Sequence, residues 1–216
     1  MRKIFISLAA VVGIIWFLGI SVCFCTPPIA QLRWVNPHTT AYMRADEHKK
    51  IQHVWCGLSK ISQHLQNAVV LAEDDQFFSH PGYDWEAIKR AYRVNLKRGK
   101  FSKGASTITM QVARNLYLYP HKSLLRKVRE VCIALKMELF LPKKRILEIY
   151  LNIAEWGNGI YGAEAAARHY FGKSARYLTK EEAAWLASIL PRPRFYDRNR
   201  RANLPHMRAE GIAGRL

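Results

Sequence analysis

The chain has 216 residues, of which 50% are hydrophobic, enough for one domain of ordinary size with a sizeable core. Its 34 Lys and Arg residues oppose 16 Asp and Glu residues, which gives a net charge of +18. That balance indicates an anionic partner, either nucleic acid, an acidic membrane surface or an anionic substrate. The spacing of the four cysteines excludes the usual zinc and iron–sulfur patterns, so no metal site is expected.

The N-terminus has the pattern of a membrane anchor. Residues 4–25 carry no charge and follow Arg2 and Lys3. About 20 apolar residues span a bilayer, and a basic flank favours a cytoplasmic N-terminus. A cleaved signal peptide is the alternative, but its apolar core is usually shorter, about 7–15 residues. We expect a cytoplasmic N-terminus and one transmembrane helix within residues 1–25, then an extended linker over 26–45.

Helical periodicity dominates residues 46–195, the predicted folded domain. Apolar spacings of three and four residues predict a helix that ends near Glu73. Further helices are predicted over about 85–97, 106–116, 122–140, 143–153, 162–170 and 183–190. Residues 196–216 form a basic, weakly patterned tail, and no convincing set of strands is present. The fold is therefore predicted to be mainly α.

The predicted helix over residues 122–140 has the clearest apolar stripe, which we expect to face the core. The stripe comprises Leu124, Leu125, Val128, Val131, Cys132, Leu135 and Leu139. Its position makes Cys132 a small core residue. A disulfide between Cys56 and Cys132 in an oxidising compartment is the alternative.

Four short motifs concentrate carboxylates, hydroxyls, amides and cations. They are E-D-x-x-F-x-x-H-x-G at 73–82, G-x-S-T-I-T-x-Q at 104–111, R-K-x-x-E at 126–130 and K-R-I-L-E-I-Y-L-N at 144–152. In this order they resemble the signatures of the peptidoglycan glycosyltransferases, a lysozyme-like family that polymerises lipid II. The resemblance covers about residues 33–195 and is greatest to the short, monofunctional members. It implies a lysozyme-like glycosyltransferase fold that makes β-1,4-linked glycan strands and releases polyprenyl pyrophosphate.

The first carboxylate of interest is Glu73. The resemblance implies that it is the general base, which takes a proton from the 4-hydroxyl of the acceptor sugar. A base needs a pKa raised toward the working pH, and Leu71, Phe77 and Phe78 could raise it by desolvation. A solvated acid at a helix end is the alternative.

The second carboxylate, Glu130, is implied to act on the donor side. Surface ion pairs with Arg126 and Lys127 are the alternative explanation. His80 is expected to orient its loop, and Asn152 to be structural. Tyr150 is expected to line the cleft.

The resemblance also implies a set of substrate-binding side chains. The cations that would hold the pyrophosphate are Arg114, Lys122, Arg126 and Lys127. The residues that would bind sugar hydroxyls or phosphate oxygens are Ser106, Thr107 and Gln111, with a helix cap as the alternative role of Thr107. The first turn of the helix that follows should present free N–H groups, which favour a phosphate. Met110 stands where the family usually has Gln, which would remove an amide from the donor site.

The implied partners are lipid II, the growing glycan strand and the bacterial cytoplasmic (inner) membrane, with the catalytic domain periplasmic. Other cell-wall synthesis and division proteins could join them, and nucleic acid is not expected. No tightly bound cofactor is expected, although the family often responds to Mg²⁺ or Mn²⁺ through the substrate pyrophosphate. No Ser-x-x-Lys motif of a transpeptidase occurs, so polymerisation without cross-linking is predicted. A lytic hydrolase of similar shape and a non-enzymatic basic membrane protein are the alternatives.

Overall fold

A computed structural model describes residues 28–47, 50–99, 105–121, 123–199 and 203–216. Helices dominate these ranges, which confirms the prediction of a mainly α fold. They are α1 (Ala41–Arg44), α2 (Gln63–Glu73), α3 (Trp85–Arg98), α4 (Ile108–Tyr117), α5 (Leu124–Phe140), α6 (Lys143–Ile153), α7 (Ala163–Phe171), α8 (Lys180–Ile189), α9 (Pro193–Arg198) and α10 (Asn203–Ala213). Short 3-10 turns lie at Ala30–Arg33, Leu58–Lys60 and Ala175–Tyr177.

The predicted membrane anchor lies outside the described residues, as does Lys122. Within the ranges that the structure covers, no helix combines the length and the apolar character needed to cross a bilayer.

A small sheet, which the sequence did not predict, joins the start of the domain to its middle. It contains β1 (Gln52–His53), β2 (Glu155–Gly157) and β3 (Ile160–Tyr161) in the order β1-β3-β2. Strand β3 pairs parallel to β1 and antiparallel to β2. The β2–β3 turn contains Gly159 with φ of 68°, a left-handed value that glycine adopts without steric cost.

Helix α4 is placed at the centre of the domain by its packing against both α5 and α6. On the other side, α8 packs against α2 and α10. The core between these helices contains large side chains that are almost fully buried. They include Leu65, Phe77, Ile108, Met110, Met137, Ile149 and Trp156. The residues that precede α4 and follow α2 therefore meet at the edge of a packed core.

Side-chain caps fix where several helices begin. The Asp84 carboxylate accepts from the Ala87 N–H at 2.7 Å at the start of α3. Thr179 and Glu182 form a capping box at α8. Helix α3 ends at Gly99, whose φ of 61° suits a glycine at the helix C-terminus.

The predicted orientation of α5 is wrong. Leu124 and Leu139 of the expected core stripe are 83% and 77% exposed, and Leu125 is 56% exposed. The buried face comprises Glu130, Ile133, Ala134 and Met137. These residues also recur at spacings of three and four, but a charged residue among them hid the pattern. Glu130 can be buried because two cations of the same helix neutralise it.

Two terminal segments are more ordered than their sequences indicated. Residues 28–45 were expected to be an extended linker, yet Ile29, Leu32 and Met43 are buried in the body of the protein. Arg145 donates to the backbone carbonyls of Leu32 and Val35 and holds this segment in place. The weakly patterned tail contains α9 and α10, and α10 packs against α8 and α2.

Cys56 and Cys132 are not joined by a disulfide.

Candidate active site

A cleft of about 920 Å³ opens where α2 ends. Its walls come from the first motif, from the start of α3 and from the residues just before α4, with Glu73 and Asp74 on one side and Ser106 and Thr107 on another. The packed ends of α2 and α4 thus bring the first two motifs together around one open space.

Glu73 is held on one side by the side chains of α4 and α6. The Gln111 amide donates to Glu73 Oε2 at 2.9 Å, and the Tyr150 hydroxyl donates to Gln111 Oε1 at 3.3 Å. Gln111, Arg114 and Tyr150 line a second, smaller pocket of about 230 Å³ behind the carboxylate. We call Glu73, Gln111, Arg114 and Tyr150 the base cluster.

The environment of Glu73 favours its protonated form. Burial raises the pKa of Glu73, while the Gln111 hydrogen bond and the positive charges of Arg208 and Arg114 lower it, and the net pKa is raised. The raised pKa is the direction that a general base requires. Phe77 is fully buried and contributes to the core near this site, but Phe78 is 58% exposed and does not shield the carboxylate as expected. Burial likewise raises the pKa of Tyr150 well above its usual range, so Tyr150 keeps its proton.

Asp74 and His80 hold the loop that follows Glu73. The His80 ring accepts at Nδ1 from the Gly82 N–H at 3.1 Å, so its proton must lie on Nε2. That Nε2–H donates to the Asp74 carboxylate at 2.9 Å. Asp74 also accepts from the Ile108 N–H at 2.9 Å and so ties the loop to α4. These bonds confirm the structural role predicted for His80.

At the start of α4, two of the N–H groups that the sequence suggested would be free already have partners. The Ile108 N–H is bonded to Asp74, and the Met110 N–H is capped by the Thr107 hydroxyl at 3.2 Å. The Thr107 hydroxyl also donates to the Gly82 carbonyl at 2.7 Å and is almost fully buried. Of the two roles left open for Thr107, the helix cap is therefore the one that the structure shows. A phosphate at this helix end would compete with bonds already made.

The third motif forms a separate group on α5. Glu130 is completely buried, and its oxygens accept from Arg126 Nη1 at 3.0 Å and from Lys127 Nζ at 2.7 Å. Lys127 also donates to Ser106 Oγ at 2.9 Å, which joins this group to the cleft wall. We call Ser106, Arg126, Lys127 and Glu130 the cation cluster. Both oxygens of Glu130 are therefore engaged by cations.

The predicted site residues that the structure describes therefore fall into the base cluster and the cation cluster, with Thr107 between them as a cap. Met110 is buried in the core and is absent from the linings of the cleft and the smaller pocket, so no amide is lost from either. Asn152 is structural, as predicted. Its side chain bonds the N–H and the carbonyl of Cys56 at 2.7 and 2.8 Å. Tyr150 lines the smaller pocket instead of the open cleft.

Sequence reasoning missed two residues near Glu73. Asp74 was given no role of its own, although its place beside Glu73 and before a loop was a usable indication. Arg208 lies in the tail that had no recognisable pattern, yet its guanidinium is 3.7 Å from the Glu73 carboxylate. This second contact with Glu73 depends on the packing of α10, which the sequence did not show.

Comparisons with known proteins agree with the motifs. The family model described as Transglycosylase matches residues 39–216. A protein of Nitrosomonas europaea is 51% identical over 180 residues, which cover 80% of this chain and 74% of that protein. A protein of Dechloromonas aromatica is 49% identical over 177 residues, covering 78% and 77%. One of Paraburkholderia phytofirmans is 41% identical over 219 residues, covering 98% and 90%. All three are named biosynthetic peptidoglycan transglycosylase.

Proposed function

Because the chain belongs to the transglycosylase family, we propose that it polymerises lipid II into β-1,4-linked glycan strands for the bacterial cell wall. Polyprenyl pyrophosphate would be released, and the strands would not be cross-linked by this chain. The observation that carries the proposal is Glu73, a largely buried carboxylate with a raised pKa at the wall of an open cleft. A carboxylate in such a setting suits proton abstraction.

In the proposed reaction Glu73 is the general base. Its carboxylate takes the proton from the 4-hydroxyl of the acceptor sugar as that oxygen forms a bond to the anomeric carbon of the donor. The bond between that carbon and the pyrophosphate oxygen breaks, and the electron pair leaves with the pyrophosphate. Attack opposite to the leaving group converts an α linkage into a β linkage. Gln111 fixes one oxygen of Glu73 and leaves the carboxylate aimed along the cleft wall.

The cation cluster supports the departure of the pyrophosphate. Negative charge grows on the leaving oxygen, and cations fixed in advance stabilise it without reorganising. Arg126 and Lys127 are fixed in this way, because both are ion-paired with the buried Glu130. Lys127 is 40% exposed and so remains accessible to a substrate phosphate. We propose the same role for Lys122 and for Arg114, which lines the smaller pocket with Gln111 and Tyr150.

We further propose that any Mg²⁺ or Mn²⁺ needed for activity arrives with the substrate pyrophosphate. The buried carboxylates nearest the motifs are already engaged. Asp74 bonds His80 and the α4 backbone, and Glu130 bonds two cations.

The proposed contact with the membrane is based on the sequence of residues 1–25 and on the exposed face of α5. That face carries Leu124, Leu125 and Leu139 in solvent, whereas soluble monomers seldom expose large apolar patches without a partner. A lipid-linked substrate remains in the bilayer, so an apolar face beside the cation cluster would bring the enzyme to it. We propose a single-pass protein of the inner membrane with its catalytic domain outside the cytoplasm.

The test is polymer synthesis by the detergent-solubilised chain from labelled lipid II and Mg²⁺. The account predicts long glycan that a muramidase digests to disaccharide units. Release of fragments from finished cell wall, without polymer, would instead identify a lytic hydrolase. Salt-sensitive DNA binding without either activity would favour the basic binding protein.

A further inference from the structure

The C-terminal helix α10 brings a cation to Glu73. Ala209 and Ile212 of this helix are buried, and they hold it against α8 and α2. The next residue toward the N-terminus, Arg208, extends to the end of α2. Its Nη2 lies 3.7 Å from Glu73 Oε1 and 3.4 Å from the carbonyl oxygen of Ala72.

The two oxygens of Glu73 have different neighbours. Oε2 accepts from Gln111 of α4, whose amide is in turn fixed by Tyr150 of α6. Oε1 faces Arg208 of α10. Over the ranges that the structure covers, Arg208 is the one cation within 4.0 Å of this carboxylate, since Arg114 acts on it from further away. The remaining charged neighbour is Asp74, whose negative charge opposes ionisation of Glu73.

We infer that Arg208 is a positioning residue for Glu73, and that α10 belongs to the catalytic unit rather than to a dispensable tail. The inference rests on the proposed function, in which Glu73 must be ionised before it can accept a proton. Burial disfavours the ionised carboxylate, and a cation on the open side of the carboxylate offsets part of that penalty. Arg208 is 39% exposed and its contact is long, so its effect is modest and not essential to the fold.

This role gives Arg208 a pH-dependent signature. Gln111 orients Glu73 without a net charge, and Tyr150 keeps its proton because of its raised pKa. Arg114 is left in place in every variant considered. Loss of Arg208 should therefore raise the pKa of Glu73 further, because one of the two cations that lower it is gone. A base with a higher pKa is protonated over more of the acidic range, so the acid limb of the rate profile moves to higher pH.

The experiment compares polymerisation rates of Arg208→Gln, Arg208→Lys and the matched control Arg215→Gln across pH. Arg215 lies at the same end of the chain, is exposed and makes no ion pair with the residues that the structure describes. Arg208→Gln should lose about twofold to fivefold on the acid limb and recover the wild-type rate at high pH. Arg208→Lys should restore most of the loss, and the control should match the wild type. An unchanged profile for Arg208→Gln, or an equal loss at every pH, would overturn the inference.

A second readout separates this inference from the proposed function. The Glu73 carboxyl can be titrated by ¹³C NMR of glutamate-labelled protein, with its signal assigned through Glu73→Gln. If the wild type makes no polymer, the proposed function fails, and the titration alone decides the role of Arg208. A higher Glu73 pKa in Arg208→Gln than in the wild type supports the contact, and an identical pKa refutes it.

Discussion

Glu130→Gln is the perturbation that most sharply separates an internal charge anchor from a surface ion pair. The carboxylate is completely buried, whereas its partners Arg126 and Lys127 are 18% and 40% exposed. The substitution preserves shape, but it replaces an anion by a neutral amide that cannot satisfy both cations. It therefore removes the charge while leaving the packing of α5 in place.

The expected loss follows from these exposures. A hydrogen bond to a charged group contributes about 1.5–3 kcal/mol, and breaking a fully buried pair costs about 3–5 kcal/mol. Here the released cations can reach water, and the amide oxygen still accepts one bond, so we expect a loss of about 2–3 kcal/mol. For a chain of this size that corresponds to a Tm lowered by about 4–12 °C. The polymerisation rate should fall by about 10-fold or more, because the cations for the pyrophosphate are no longer fixed.

Urea unfolding and thermal melting measure the stability change, with Glu86→Gln as the matched control. Glu86 pairs with Lys89 on α3, but the two side chains are 66% and 45% exposed. Removing that pair should change stability by less than about 1 kcal/mol. Equal effects of Glu130→Gln and Glu86→Gln would refute the claim that Glu130 anchors buried charge.

Three further substitutions test other parts of the account by thermal or urea unfolding. Because the pKa of Glu73 is raised, folding favours its neutral carboxyl. The stability that this carboxyl contributes is fully present below the unfolded pKa and is lost as the pH rises through the folded pKa. Glu73→Gln should therefore exceed the wild type by about 0.5–2 kcal/mol at pH 8 but not at pH 4, and an equal difference at both would count against a buried charge. Asn152→Ala should lose about 2–4 kcal/mol because the Cys56 N–H and carbonyl lose their partners, whereas a loss below about 0.5 kcal/mol would contradict that role. Gly162→Ala should lose about 2 kcal/mol or more, since φ is +87° and a Cβ would lie 2.8 Å from the Asn152 carbonyl oxygen; a neutral result would show that the turn can relax.

The sequence predicted the helices well because most of them combine clear periodicity with a capping residue or a helix breaker. The starts of α3 and α8 follow Asp84 and Thr179, and both caps are formed. The motifs also placed Glu73 and Glu130 in the right elements. What they could not provide was the partner of each side chain, because those partners come from helices distant in sequence.

The errors share a physical cause. An apolar stripe predicts that its side chains favour an apolar environment, but it does not say whether that environment is the protein core. The stripe of Leu124 and Leu139 was assigned to the core, but the core face of α5 contains Glu130 beside Met137. Burial of that carboxylate depends on two neutralising cations, which a count of apolar residues does not register. Polar residues of the second motif were similarly expected to bind substrate, whereas the Thr107 hydroxyl is hydrogen-bonded to the backbone of the protein itself.

Arg208 shows the limit of motif-based prediction most clearly. It lies outside all four motifs, in a tail without periodicity, and 135 positions separate it from Glu73 in the sequence. Its contact depends on the docking of α10 through Ala209 and Ile212, which are small or apolar residues with no distinctive pattern. Such a residue can be found only after the chain is folded.

The most direct test of the central claim is the initial rate of lipid II polymerisation by Glu73→Gln, beside the wild type and the control Glu181→Gln. General-base catalysis typically contributes about 10²–10⁴-fold, so Glu73→Gln should lose at least about 100-fold while its melting shows a folded protein. Glu181→Gln, whose side chain is exposed on α8 and is not part of the cleft lining, should stay within about twofold of the wild type. A folded Glu73→Gln that polymerises lipid II at a rate close to the wild type would contradict the assignment of Glu73 as the base.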